Sequence, residues 1–265
     1  MIVRNPSAEP FSVDRLVVAY RADPVVWDVT WAARAGAMSA IVGPNGAGKS
    51  SLLNAAIGLA PVLSGTARFW GMEFKEARQR VAYVPQAESI DWDFPITAAQ
   101  VVEMGMTQGA GWLVPAVLPK LLPRWSRSLF GMGRQSARER TQDALGRVGM
   151  EEFAARPIGQ LSGGQQQRIF LARALAQDAD LYLLDEPFAG IDVATEELLT
   201  TELRELTQAG KTVVAVHHDL DDVAARFDDV LILNGELIAS GPTKEVLTPE
   251  TIARAFRRRA HSPSG

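Results

Sequence analysis

Residues Ile41-Val42-Gly43-Pro44-Asn45-Gly46-Ala47-Gly48-Lys49-Ser50 read as an apolar strand, a glycine-rich loop and the start of a helix. Their constrained positions fit the spacing G-x-x-x-x-G-K-[ST]. Each residue type has a reason to be there. Glycines let successive backbone N–H groups turn inward and surround phosphate oxygens. The helix that follows adds its positive dipole end. Lys49 would reach the β- and γ-phosphates of a nucleoside triphosphate, and the Ser50 hydroxyl would ligate Mg²⁺. A chance match is the competing reading, and the strand before the loop and the helix after it oppose it.

Two further stretches bear on the same chemistry. Leu181-Tyr182-Leu183-Leu184-Asp185-Glu186-Pro187 is an apolar strand that ends in two acids. Beside a phosphate loop, Asp185 suits an indirect hold on Mg²⁺. Glu186 suits the orientation or deprotonation of an attacking water. Taken alone, the stretch is also an ordinary strand running into an acidic turn. Leu161-Ser162-Gly163-Gly164-Gln165-Gln166-Gln167-Arg168 places Ser-Gly-Gly before a helix. Two readings stand at this point. One is a second phosphate cradle at a helix N-terminus. The other is a plain helix N-cap by Ser162 with a flexible glycine entry.

The elements that must position these residues follow from apolar patterning. Leu16–Tyr20, Met38–Val42, Val81–Val84, Leu181–Leu184, Thr212–Val216 and Val230–Leu233 read as strands. Most are nearly continuous apolar runs, as strands covered on both faces should be. Lys49–Leu59, Gln165–Gln177, Thr195–Gln208 and Leu220–Arg226 read as helices. Strands alternating with helices imply an α/β fold with parallel pairs. The N-terminal strands lack intervening helices, so an antiparallel sheet should flank the main one. Between Asp91 and Ser162 the pattern turns helical. Thr97-Ala98-Ala99-Gln100 has capping-box spacing, and Ala137–Val148 is a further helical stretch. There is no internal repeat or low-complexity tract.

Composition narrows the classes. The chain has 265 residues, 47% hydrophobic and 22% charged, within the ordinary globular range. A net charge of −4 argues against a nucleic-acid partner. The absence of cysteine removes disulfides and thiolate metal sites, and only three histidines are present (His217, His218 and His261). Met1–Pro10 is polar and does not read as a signal peptide. No uninterrupted apolar stretch is long enough to span a bilayer.

Leu161–Arg168 resembles the signature sequence of ABC ATPases, and Gly43–Ser50 and Leu181–Pro187 stand in the order and spacing of that family. The resemblance runs from about Leu16 to Leu247. It implies a P-loop NTPase core with a flanking antiparallel β-subdomain (residues 11–90 and 163–247) and a helical signature subdomain (91–162), followed by a C-terminal helix and tail (248–265). It also implies that two cassettes pack head to tail, each completing the other's ATP site. Nucleotide contacts then fall to Gly43, Pro44, Asn45, Gly46, Ala47, Gly48, Lys49, Ser50 and Ser51 in cis, and to Ser162, Gly163, Gly164 and Gln165 in trans; Asp192, also acting in trans, resembles the aspartate that bridges the two subunits. Tyr20 resembles the aromatic residue that stacks on adenine, although an ordinary strand tyrosine would look the same. Gln86, after Tyr83-Val84-Pro85, resembles the glutamine that senses Mg²⁺ and water; with Ser50 and Asp185 it completes the implied Mg²⁺ set. His218, which precedes Asp219-Leu220, resembles the switch histidine that contacts the γ-phosphate; His217 is the alternative. The catalytic set implied is Glu186, His218, Lys49 and Gln86, acting on ATP and Mg²⁺.

Val84–Thr97 and Val101-Val102-Glu103-Met104-Gly105 resemble the ATP-binding subunits of manganese, zinc and iron importers. That resemblance implies transmembrane permease subunits and, indirectly, an extracytoplasmic metal-binding protein as partners. It also implies a peripheral place on the cytoplasmic face of a bacterial membrane. Another importer class and a non-transport ABC ATPase of the cluster-assembly type are the alternatives. Trp92, Phe94 and Pro95 form an aromatic loop that suits either a partner contact or packing on its own helical subdomain. The stretch 109–138 is longer than these importers lead one to expect. Its tryptophans, prolines and basic residues suit either a contact with a membrane protein or anionic headgroups, or a disordered or self-packed insertion.

Overall fold

Most of the apolar runs become strands whose side chains are enclosed, and the residues between them become helices with one buried face. The computed structural model describes residues 9–20, 23–86, 95–106 and 134–256. In chain order the elements are β1 (Phe11–Ala19), β2 (Pro24–Ala33), β3 (Met38–Val42), α1 (Lys49–Ala56), β4 (Val62–Arg68), β5 (Val81–Val84), α2 (Ala98–Gly105), α3 (Arg134–Arg147), α4 (Gly163–Gln177), β6 (Leu181–Asp185), α5 (Val193–Gln208), β7 (Thr212–Val216), α6 (Leu220–Arg226), β8 (Asp229–Leu233), β9 (Leu237–Pro242) and α7 (Pro249–Ala255). Single-turn helices are left unlabelled. No helix among the described residues is long and apolar enough to cross a membrane. The chain divides into two compact units, Met1–Phe74 with Val216–Gly265, and Lys75–Ala215.

In the first unit an antiparallel sheet of order β2-β1-β4 forms around Phe11, which stacks on Phe69 at 5.2 Å and meets Trp31 edge-on at 5.9 Å. Registers Phe11↔Ala33 and Ala19↔Pro24 close the β1–β2 hairpin, and irregularities fall near Arg15, whose φ is 46°. A second set of strands runs β3-β8-β9. Here β3 is parallel to β8, with Val42 opposite Ile232, and β9 is antiparallel to β8. Every residue of β3 is buried. Burial of side chains such as Met38 and Ile41 contributes roughly 1.5–3 kcal/mol each before entropy is counted. That burial fixes the strand end from which the glycine loop departs.

In the second unit β5 is parallel to β6, with Val84 opposite Leu184, and β7 follows β6 in the strand order. Helix α4 covers this group with a nearly continuous buried face: Ile169, Phe170, Leu171, Ala172, Ala174 and Leu175. Helix α2 approaches α4 so closely that a Cβ on Gly105 would lie 2.1 Å from the Arg173 carbonyl oxygen. Glycine at 105 is therefore a packing requirement. The capping box expected at Thr97 is formed. Gln100 N–H donates to Thr97 Oγ1 at 3.3 Å, and the Gln100 side-chain oxygen accepts from Thr97 N–H at 3.0 Å.

Several boundaries differ from the sequence reading. The first strand begins at Phe11 and ends at Ala19, so Tyr20 stands just beyond it rather than ending it. Helix α1 stops at Ala56, because Gly58 adopts φ 78° and breaks the turn. Helices α4 and α5 begin two residues earlier than expected, at the residues that follow their caps Ser162 and Asp192. Strands β2, β4 and β9 carry weaker apolar signals than the central strands; β4 is exposed along most of its length. Asp91–Phe94, residues 109–133 and the arginines 257–259 lie outside the described residues.

Candidate functional site

The glycine loop of the first unit is built by backbone contacts that admit no side chain. A Cβ on Gly43 would stand 1.9 Å from the Leu233 carbonyl oxygen, and one on Gly48 would stand 2.6 Å from the Val25 carbonyl oxygen. Gly46 and Gly48 hold φ of 78° and 89°, a region that costs an L-residue about 1 kcal/mol or more. Ala47 N–H closes onto the Pro44 carbonyl at 3.1 Å. The loop is further pinned from outside: Gly235 N–H donates to the Ala47 carbonyl at 2.8 Å, and Trp27 N–H donates to the Gly235 carbonyl at 2.6 Å. Asn45 and Gly46 stay exposed at its crest.

Lys49 opens α1 yet is only 7% exposed. Its Nζ donates to the carbonyls of Gly43 at 2.9 Å and Pro44 at 3.0 Å. The ammonium is thus held across the loop, pre-positioned where phosphate oxygens could replace carbonyl oxygens. Ser50 and Ser51 follow it on the first turn, both partly exposed. Tyr20 is 55% exposed, so its ring has an open face.

The two histidines of this unit part company. His217 is 3% exposed; its backbone N–H donates to the Ile41 carbonyl at 3.0 Å and its side-chain Nε2 stands 3.7 Å from an Asp222 oxygen. Burial, then the neighbouring His218, holds its pKa below the usual imidazole value. His218 is exposed and meets His217 edge-on at 5.6 Å. Asp219 caps α6, accepting at Oδ1 from Asp221 N–H at 2.9 Å and Asp222 N–H at 3.2 Å; the Asp222 bond is the largest cause of its lowered pKa.

In the second unit the ends of β5 and β6 bring Gln86 and Glu186 together. Gln86 Nε2 donates to Glu186 Oε2 at 3.3 Å. Asp185, the last residue of β6, is 3% exposed. Glu186 turns into the left-handed region, with φ 51°. A residue with a side chain pays about 1–3 kcal/mol for such a conformation, so surrounding contacts must hold it. Ala189 N–H donates to the Glu186 carbonyl at 3.1 Å, closing the turn.

The Ser-Gly-Gly stretch forms the N-terminus of α4. Gln165 N–H donates to Ser162 Oγ at 3.3 Å, and the Gln165 side-chain oxygen accepts from Ser162 N–H at 2.9 Å. The N-cap reading therefore holds. It does not displace the phosphate reading, because a hydroxyl that accepts one bond still has its proton to donate. Ser162 and Gly163 are exposed. A Cβ on Gly164 would lie 2.4 Å from the Gly190 carbonyl oxygen, so α4 touches the 186–192 turn there. That turn ends at Asp192, which caps α5. Asp192 Oδ1 accepts from Thr195 N–H at 3.0 Å, and its Oδ2 accepts from Thr195 Oγ1 at 2.8 Å. The Thr195 backbone bond, then its hydroxyl, holds the Asp192 carboxyl below the usual range.

The sequence reading overlooked several supports. Gln166 Nε2 donates to the Ile158 and Leu161 carbonyls, both at 3.2 Å. Arg173 is buried and donates to the Tyr83 carbonyl at 2.6 Å; burial pulls its pKa down to about 10. Gln177 Nε2 donates to the Val81 carbonyl at 2.9 Å. Polar residues on the apolar face of a helix were the available signal, since such groups need buried partners.

The description "ABC transporter" fits residues 26–189, more than half of the chain. The chain is 47% identical over 260 residues to the zinc transport system ATP-binding protein TroB of Treponema pallidum (strain Nichols), covering 97% of this chain and 91% of that protein. It is 44% identical over 248 residues to the manganese transport system ATP-binding protein MntB of Bacillus subtilis (strain 168), covering 93% and 92%. Among solved structures it is similar to the ATP-binding cassette MJ0796, a dimer in a post-hydrolysis state bound to ADP and phosphate. That match has TM-score 0.72 and 26% identity over 88% of this chain and 98% of that one. The glycine loop, the Gln86–Glu186 pair and the capped Ser-Gly-Gly helix, together with these matches, establish that the chain belongs to the ABC transporter family, as one of its ATP-binding subunits.

Proposed function

We propose that the chain hydrolyses ATP to power the import of a divalent transition metal, zinc or manganese, through membrane-spanning permease subunits. The observation that carries the hydrolytic part is Glu186, held in a left-handed turn at the end of β6 with its carboxylate on the Gln86 amide. A carboxylate fixed at a strand end, rather than free to sample rotamers, is suited to orient one water for in-line attack. The water oxygen attacks the γ-phosphorus, the bond to the ADP oxygen breaks, and the water's proton passes to Glu186 or to the departing phosphate. Lys49 exchanges its Gly43 and Pro44 carbonyls for phosphate oxygens. His218 and the Ser162 hydroxyl of a second copy add donors where charge develops. Ser50, Gln86 and Asp185 offer only oxygen donors, the set a hard divalent cation such as Mg²⁺ accepts, and they would hold it. When bound, that ion neutralises charge on the β- and γ-oxygens.

Tyr20 stacks on the adenine in this reading, and Gly163, Gly164, Gln165 and Asp192 complete the signature face that the second copy presents. Loss of the γ-phosphate removes the contacts that join two copies, and the pair opens; that motion is the output to the permease. The names of the relatives support a metal as cargo. In this reading an extracytoplasmic binding protein delivers it to the permease. A peripheral station on the cytoplasmic face of a bacterial membrane belongs to the same proposal, and the bacterial origin of the relatives is in keeping with it. Glu186→Gln tests the chemistry: ATP should still bind while turnover is lost. A wild-type hydrolysis rate in that variant refutes the assignment. Uptake of labelled manganese and zinc by cells carrying the wild-type or Glu186→Gln chain tests the cargo. Equal uptake of both metals in the two strains would refute it.

A further inference from the structure

Three consecutive glutamines follow the Ser-Gly-Gly stretch, and the structure gives each a different partner. Gln165 caps Ser162 and Gln166 ties the preceding turn. Gln167 points the other way, into the protein. It is 1% exposed, and its Nε2 lies 3.4 Å from the Glu186 carbonyl oxygen. The reverse placement of this amide would set two oxygens against each other, so the donor must face Glu186. Its Oε1 is buried without a hydrogen-bond partner among the described residues. An uncompensated buried acceptor is costly, so the single donation that Gln167 makes has to justify a polar side chain at that place.

We infer that Gln167 is the positioning residue for the catalytic carboxylate: it holds the Glu186 peptide in its left-handed turn and so keeps the Glu186 side chain on Gln86. The Glu186 carbonyl has two lone pairs, and both are engaged, one by Ala189 N–H at 3.1 Å and one by the Gln167 amide. Together they fix the plane of the peptide that follows Glu186, and hence the ψ that accompanies its φ of 51°. The Ala189 bond lies within the turn and moves with it. The Gln167 bond comes from outside, from a helix whose buried face is packed in the unit core. Without it the turn can relax toward the extended region that non-glycine residues prefer. The carboxylate would then leave Gln86.

The same helix that presents Ser162, Gly163 and Gly164 at its first turn sets Glu186 through Gln167 shortly after. Arg173 and Gln177 fasten its later turns to β5, at Tyr83 and Val81, the strand that leads to Gln86. Helix α4 thus holds both members of the Gln86–Glu186 pair in one frame with the signature.

This inference rests on the reading of Glu186 as the group that orients water, and the experiment keeps the two apart. Gln167→Met preserves length and volume and removes the amide. In the full-length chain it should lower kcat for ATP roughly 10- to 100-fold, the scale of a misplaced catalytic group. The KM for ATP and the affinity for a non-hydrolysable ATP analogue should stay at wild-type values. In a Glu186→Gln background, Gln167→Met should cause no further loss of the residual single-turnover rate, measured with enzyme in excess over ATP, because its effect passes through Glu186. Gln167→Glu supplies a second readout. Its neutral carboxylic acid can donate to the Glu186 carbonyl and its carboxylate cannot, so its rate relative to wild type should rise as pH falls from 9 to 6. A wild-type kcat in folded Gln167→Met, with Glu186→Gln inactive, overturns the positioning role. So does a further, multiplicative loss in the double variant. If Gln167→Met fails to fold, a flat rate ratio for Gln167→Glu overturns it. Normal turnover in Glu186→Gln overturns the underlying reading instead.

Discussion

Adjacent glycines at the start of α4 make opposed predictions under the same substitution. A Cβ added at Gly163 meets nothing within 4 Å, whereas one at Gly164 would lie 2.4 Å from the Gly190 carbonyl oxygen. Ala in place of Gly within a helix is worth roughly 0.5–1 kcal/mol from backbone propensity. Gly163→Ala should keep most of that gain. Gly164→Ala earns the same helix gain, but ordinary contact distances require the 186–192 turn to retreat by about 1 Å. Overpacking of that kind costs about 1–3 kcal/mol. The two variants should therefore differ by about 1–3 kcal/mol, with Gly163→Ala the more stable. At about 2–4 °C per kcal/mol for a chain of this size, the gap in melting temperature is readily measured by calorimetry or circular dichroism. The displaced turn begins at Glu186, so Gly164→Ala should also hydrolyse ATP more slowly than wild type. If Gly164→Ala melts at or above Gly163→Ala and turns over ATP at the wild-type rate, α4 does not bear on the Gly190 carbonyl and the packing argument is wrong.

Ser162→Ala should lose about 0.5–2 kcal/mol through the missing cap; Ser162→Asp should restore melting but not turnover, because a carboxylate caps the helix and repels phosphate. Melting curves and steady-state hydrolysis separate the two, and normal turnover in Ser162→Asp would remove the hydroxyl from the chemistry. His217, held below its ordinary value of 6.5 by burial, makes stability depend on pH. The unfolded chain takes up its proton first as pH falls below that value, so stability is lost as pH drops from 6.5 through the folded value. The slope approaches at most about 1.4 kcal/mol per pH unit for this one group. Denaturant melts of His217→Gln between pH 7.5 and 5 should show a shallower acid slope than wild type, and parallel slopes would count against a buried neutral imidazole.

What the sequence by itself determined was the local chemistry. Gly43–Ser50 is legible because a phosphate loop needs its glycines, lysine and hydroxyl within one continuous turn. The central strands β3, β6, β7 and β8 are legible because burial on both faces makes them continuously apolar. Strands β4 and β9 were missed because they are largely exposed or half-exposed, and no apolar run marks them. The tertiary structure decided everything that depends on partners distant in sequence. Ser162 could be read as a cap or a cradle, and only the geometry around Gln165 makes it a cap with a proton to spare. His217 and His218 are chemically alike and adjacent; packing under Phe227, at 5.7 Å between rings, buries one and leaves the other exposed. Gln167 looks like any polar residue of a helix, and nothing near it in the chain explains it. Its partner, the Glu186 carbonyl, is 19 residues away, and the packed face of α4 brings the two together.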